Sequence, residues 1–354
     1  MIKGKPYIVL LMFLFAFDSN VKAQDVHFSQ YINTPFMINP ALTGLFRGDL
    51  RTSLHYRDQW QSISNGFKTY AFSLDRPLLN KLHENNYLGI GLSMYSDLAG
   101  SGNYGTTMLN LSLSGIKHLD VRNIISAGFN FSYLQRSLNQ SDLTWSNQYD
   151  PSQGYNSNLQ SDELGMLNSR NNFDLSAGFA WKFRSHNSPN IYLDQFRSRL
   201  GFSLFHINTP NVSLIENLKE NENIKIVAHG DAWVKMTDKY AFLPSFYFLN
   251  QGTHNELIVG TIMRVEVQDK SKYGKINGMD ILVGTYYRVG DAIIPTISLR
   301  VAKYEISLSY DINISGLTQA SQYMGGLEIG FKFQTPNPFT HGGSLSLQQG
   351  DQRI

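Results

Sequence analysis

From residue 49 to residue 334 the chain repeats one theme, a run of about ten residues alternating apolar with small or polar ones, followed by a turn rich in Gly, Asn, Asp or Pro. Phe173, Leu175, Ala177, Phe179, Trp181 and Phe183 alternate with Asp174, Ser176, Gly178, Ala180 and Lys182. Tyr304, Ile306, Leu308 and Tyr310 alternate in the same way with Glu305, Ser307, Ser309 and Asp311, and Leu327, Ile329, Phe331 and Phe333 with Glu328, Gly330 and Lys332. The pattern predicts about fourteen antiparallel strands, over 49–57, 67–75, 87–96, 104–117, 122–136, 170–184, 198–207, 224–236, 240–250, 255–266, 278–289, 292–301, 303–312 and 322–334. The eighth is the least regular, because Lys225, Val227, His229, Asp231 and Trp233 share one side, and a bulge is expected there.

A soluble β-sandwich would alternate too. Three features favour a transmembrane β-barrel: the strands are long, aromatic residues fall near their ends (Tyr70, Tyr87, Tyr133, Trp181, Tyr240, Phe333), and the opposite side is dominated by Gly, Ser and Asn. Those are the girdles and polar lumen of a closed sheet in lipid, where every backbone group is paired. An even strand count puts both termini in the periplasm and the longest connection, 137–169, outside the cell. Several periplasmic turns, such as 76–86 and 267–277, are longer than this architecture usually has.

Ahead of the strands, Lys3 and Lys5 precede an apolar run from Tyr7 to Phe17, and Val21-Lys22-Ala23 offers a cleavage site, so residues 1–23 are expected to be a signal peptide. Residues 24–48 cannot be regular, since Pro35 and Pro40 lack an N–H and push their predecessors out of the helical region. The barrel is expected over 49–334, with a Pro-, Gly-, Ser- and Gln-rich tail over 335–354.

Composition narrows the function. There is no cysteine, hence no disulfide, thiolate metal site or acylated lipoprotein cysteine. Without the leader, 27 basic residues face 27 acidic ones, so no nucleic-acid partner is expected. The 16% charged, 13% aromatic content suits a chain with half of each strand in lipid. The nine histidines are scattered without metal-ligand spacing, and Gly100 to Gly105 spells G-x-G-x-x-G between two strands, where it opens no helix. No catalytic residue, cofactor or metal is expected, and no local pattern marks the Ser/His pair of a barrel lipase.

Residues 24–60 carry Phe28, Ser29, Gln30, Tyr31, Asn39, Pro40, Ala41 and Gly44, followed by Tyr56, Arg57, Gln59 and Trp60. This ordered set resembles the opening of the PorP/SprF family of the type IX secretion system. The resemblance implies an outer-membrane component that helps to secrete particular substrates and holds them at the cell surface. Those substrates are commonly large adhesins with a type B C-terminal domain, gliding adhesins among them, and other secretion components are implied as partners. Arg57 and Gln59 share one side of the first strand, so residues 24–48 are expected to fold into the lumen as a plug that meets them. The extracellular loops, with Trp145, Tyr149 and Tyr155, are the candidate substrate-docking surface. The alternative function is an outer-membrane transporter of hydrophobic small molecules, which a continuous apolar passage beside the plug would favour.

Overall fold

The computed structural model describes residues 25–335 apart from 61–65, 79–85, 186–194 and 269–277 and positions 101, 151, 153, 157, 158, 160–165 and 317. The expected signal peptide and the tail beyond Thr335 lie outside the described residues. In chain order the strands are Leu50–Gln59 (β1), Phe67–Leu78 (β2), Asn86–Ala99 (β3), Tyr104–His118 (β4), Asn123–Ser137 (β5), the short Tyr149–Asp150 (β6) and Gly154–Tyr155 (β7), Ser169–Arg184 (β8) and Phe196–Phe205 (β9). They continue as Lys225–Lys235 (β10), Tyr240–Gln251 (β11), His254–Gln268 (β12), Met279–Arg288 (β13), Ala292–Val301 (β14), Tyr304–Asn313 (β15) and Met324–Thr335 (β16).

All but β6 and β7 form one closed antiparallel barrel of fourteen strands. The ring closes where β1 pairs with β16, from Leu50 opposite Thr335 to Gln59 opposite Gly326. Closure leaves no free sheet edge, which is the condition for a sheet to cross hydrocarbon. β1 begins and β2, β4, β8, β10, β12, β14 and β16 stop at one end of the barrel, the terminal end. The connections after β1, β3, β5, β9, β11, β13 and β15 lie at the other, the loop end.

The period of two sorts the side chains as the sequence pattern requires. On β4, Leu109, Leu111 and Leu113 stand exposed, while Asn110, Ser112 and Ser114 between them are buried in the barrel. Exposed Phe129, Phe131, Phe179, Ile297, Ile306 and Leu308 extend that greasy outer belt around the wall. An apolar surface of this extent is covered by lipid in an outer-membrane barrel.

The structure corrects the sequence reading in four places. β10 keeps one register with both neighbours and has no bulge, whereas the register shifts lie at Glu266/Gln268 and Asp311/Ile312. Tyr87 joins no girdle: it shares the inward side of β3 with Gly89 and Gly91 and meets His118 edge-on, ring centroids 6.0 Å apart. The last strand runs through Thr335, which the reading gave to the tail. Finally, the lumen wall is not uniformly small and polar. From β10 to β14 its inward side carries buried Val227, Trp233, Leu243, Ile258, Ile262, Leu282 and Ile294, which pack on Tyr31, Ile38, Leu42 and Leu45 of the N-terminal segment.

A lipid-facing wall makes a specific demand on Leu111, at the middle of β4. Leu111→Arg is expected to cost about 2–4 kcal/mol in denaturant unfolding from bilayers. A change within about 0.5 kcal/mol, normal for a water-exposed site, would contradict the lipid-facing assignment.

Candidate functional site

Residues 25–48 run through the barrel from the loop end to the terminal end. Asp25 sits beside Lys225 and His206, where β9 gives way to β10, and Gly48 lies against Thr335 at the opposite end. The segment is a chain of tight turns, Tyr31–Asn33, Pro35–Ile38 and Pro40–Leu42, two of them opened by a proline whose missing N–H costs nothing in a first turn. Irregular backbone inside a barrel must find its hydrogen bonds in the wall. Asn39 meets that demand in both directions: its side-chain oxygen accepts from Ala41 N at 2.9 Å, and its amide donates to Phe179 O at 2.9 Å. Ser203, Ser126 and Ser114 donate to the carbonyls of Ile38, Ala41 and Thr43 at 2.5, 2.7 and 2.6 Å.

The wall is carved to receive this path. Gly89, Ser114, Gly128, Gly178 and Ser203 are successive register partners across β3, β4, β5, β8 and β9. A Cβ on Gly128 would lie 2.5 Å from Pro40 O, and one on Gly178 would lie 2.0 Å from Asn39 Oδ1. Backbone can approach the wall this closely only where no side chain intervenes. Gly44 turns the chain at φ +67 and donates its N–H to Asp75 at 2.7 Å.

Toward the loop end the segment is held by charge. Ser29 N and Gln30 N donate to the two oxygens of Glu328 at 2.8 and 3.0 Å, and Ser29 Oγ donates to Asp311 at 2.7 Å. Arg57 reaches Asp311 at 2.8 Å and also donates to the carbonyl of His27, while Arg288 lies 3.1 Å from the same carboxylate. Breaking one partner out of a buried pair of this kind characteristically costs ~3–5 kcal/mol. Tyr31 stacks on Tyr247 with centroids 5.1 Å apart and donates its hydroxyl to Ser245 at 2.8 Å; Phe28 lies against the His55 ring at 5.7 Å.

Asp25 completes the loop-end latch. His206 Nε2 is 3.3 Å from Asp25 and His206 Nδ1 is 3.1 Å from Asp174, with Lys225 on the Asp25 carboxylate as well. Burial alone would raise the Asp25 carboxyl, but Lys225 and His206 hold it well below the ordinary carboxylate range. Burial disfavours the His206 cation, yet its hydrogen bonds to Asp174 and Asp25 win and push it up to about 9.

At the loop end, the 206–224 connection folds over the mouth. Val212 packs against Val26, Tyr95, Met108 and Leu134, and Leu167 N donates to Leu214 O at 2.7 Å. Glu222 pairs with Arg136 at 2.8 Å. Beyond it the β6–β7 hairpin sets Tyr149 directly opposite Tyr155, 61% and 46% exposed, with half-buried Trp145 just before the Ser146–Gln148 turn that leads into the hairpin.

The structure therefore gathers Phe28, Ser29, Gln30, Tyr31, Asn39, Pro40, Gly44 and Arg57 in the lumen. Gln59 and Trp60 stay at the rim, Trp60 at φ 56 with its ring edge on Phe67. Sequence reasoning missed His206, Lys225, Arg288, Asp311 and Glu328 as partners of the segment, Asp25 as the segment's own anchor, and Asp174 behind His206. Asp311 and Glu328 were visible as charges on the inward side of apolar strands, which is the signal that could have found them. Among the described residues no three His, Asp or Glu side chains group as a metal site would require.

The latch has a definite pH dependence. A histidine with a raised folded pKa stabilises fully below its unfolded value, about 6.5, and ceases to do so as pH rises through about 9. The depressed Asp25 stabilises above the carboxylate range and fails only in acid. The Tm gap between the wild type and His206→Gln is expected to be largest near pH 6 and to shrink toward zero by pH 10; a gap independent of pH would refute the charged latch.

No curated protein sequence matches the chain significantly. Among solved structures, the toluene transporter TbuX of Ralstonia pickettii aligns over 86% of this chain and 94% of its own, at 9% identity and TM-score 0.48. The CymD monoaromatic hydrocarbon channel aligns over 86% and 93% at 9% identity and TM-score 0.45, and a Pseudomonas aeruginosa FadL homologue over 84% and 92% at 8% identity and TM-score 0.43. Residues 20–333 match the family model described as type IX secretion system membrane protein PorP/SprF. That match spans nearly the whole barrel together with the segment inside it, and the chain belongs to the PorP/SprF family of type IX secretion system outer-membrane proteins.

Proposed function

We propose that the protein is a closed docking platform of the type IX system: residues 25–48 plug the lumen, and the loop end, facing the cell exterior, retains a secreted substrate. The substrate class is a large surface adhesin with a type B C-terminal domain, in gliding cells the motility adhesin, and the chain reaches its place after removal of residues 1–23. Other secretion components meet it in the outer membrane or from the periplasm.

What supports this reading is the small space left beside the segment in the bore. Two cavities beside the segment hold about 10 and 30 Å³, room for a water or two. The larger is lined partly by Arg51, Arg199, Asp231 and Lys332, a poor surface for an apolar solute. A barrel with its bore occupied acts through its rim. At that rim the paired Tyr149 and Tyr155, with exposed Ile215 and Leu218 on the neighbouring connection, supply amphipathic anchors of the kind that dominate protein interfaces.

Two measurements test the two halves of the proposal. Because the chain has no cysteine, single reporters are free of background. Thr43→Cys is expected to resist a maleimide reagent in intact outer membranes under conditions that fully label Tyr149→Cys, and rapid labelling of residue 43 would show an open bore. Replacing both Tyr149 and Tyr155 by Ala is expected to weaken adhesin binding at least about tenfold, the loss of one strong anchor; unchanged retention would remove the docking role.

A further inference from the structure

At the terminal end of the barrel, the geometry points to a binding site for an oxyanion, a carboxylate or phosphate group, centred on Lys182. Lys182 on β8 lies directly opposite Arg199 on β9, and two residues on, Arg184 lies opposite Arg197. Like charges facing each other across a strand pair repel, and here two such pairs are consecutive on one side of the sheet. Arg199 is answered by Asp231 at 2.8 Å, and Arg197 lies over the Trp233 ring at 5.1 Å. Lys182 has no such answer: it is 7% exposed and makes no hydrogen bond or ion pair among the described residues.

The charges that weigh most on it are those of Arg47, Arg184, Arg199 and Arg197, the first of them on the N-terminal segment. A buried amine surrounded by guanidinium groups either gives up its proton or keeps its charge by taking an anion as partner. Tyr87 and His118, in edge-on ring contact, lie close enough to Arg47 and Arg184 to feel their charge. The forked guanidinium groups suit a planar carboxylate or a phosphate, with Lys182 as the central point charge. In a family of secretion components, the ligand would approach from the end where β1 starts and β16 stops, opposite the docking rim. The two proposals therefore stand or fall separately.

The full-length protein in detergent, titrated at fixed ionic strength with pyrophosphate in one arm and a hexaglutamate peptide in the other, tests this. Saturable binding with a rise in Tm is expected in at least one arm: pyrophosphate alone would identify a phosphate ligand, and hexaglutamate an acidic segment of a protein partner. Lys182→Met should weaken that binding at least tenfold and, by removing the repelled charge, should melt higher than the wild type in ligand-free buffer. Arg184→Gln, nearer the surface, should weaken binding without loss of the fold. The proposal is overturned if neither anion binds saturably, if Lys182→Met binds as the wild type does, or if Lys182→Met melts lower without ligand.

Discussion

Inside hydrocarbon a backbone N–H or C=O has no water to fall back on, so the sheet has to close on itself, and everything else in this protein follows from that closure. Fourteen strands, sealed where Leu50–Gln59 meets Met324–Thr335, enclose more space than their own inward side chains fill. A bore of that size is either wet or occupied. Here it is crossed end to end by the chain's own residues 25–48, and the wall is adapted to them strand by strand.

The adaptation differs on the two sides of the bore. On the β3–β9 side the wall retreats to Gly and Ser and hands hydroxyl donors to the carbonyls of Ile38, Ala41 and Thr43. On the β10–β14 side it offers Leu, Ile and aromatic surface to Tyr31, Ile38, Leu42 and Leu45. One side thus satisfies the segment's backbone and the other buries its side chains, while the Arg57, Arg288, Asp311 and Glu328 group fixes its axial position. The two ends that remain are chemically unlike: exposed Tyr149 and Tyr155 stand at the loop end, while Lys182, Arg184, Arg197 and Arg199 gather at the terminal end.

How far the sequence could be read depended on the range of the interaction concerned. Strand positions were legible because lipid outside and lumen inside impose a period of two on each strand locally, as in Phe173–Phe183 and Tyr304–Tyr310. The same rule failed at β10, where Val227 and Trp233 share the inward side with Lys225, His229 and Asp231, because that wall packs against an apolar insert as well as polar groups. Tyr87 was misplaced for a related reason: an aromatic at a strand end reads as a girdle whichever way it points. Arg57 could be singled out as a charge in need of a partner. Its partner Asp311, 254 positions away, could not be assigned without the register that closes the ring.

Hydrogen–deuterium exchange on the protein reconstituted in bilayers measures the occupancy of the bore most directly. Peptides covering residues 28–46 should exchange as slowly as the strand cores of β3–β5, because their amides and carbonyls are tied to a wall that opens only with the barrel. Exchange of those peptides within seconds, at the rate of the β6–β7 hairpin, would contradict a segment packed inside a closed sheet.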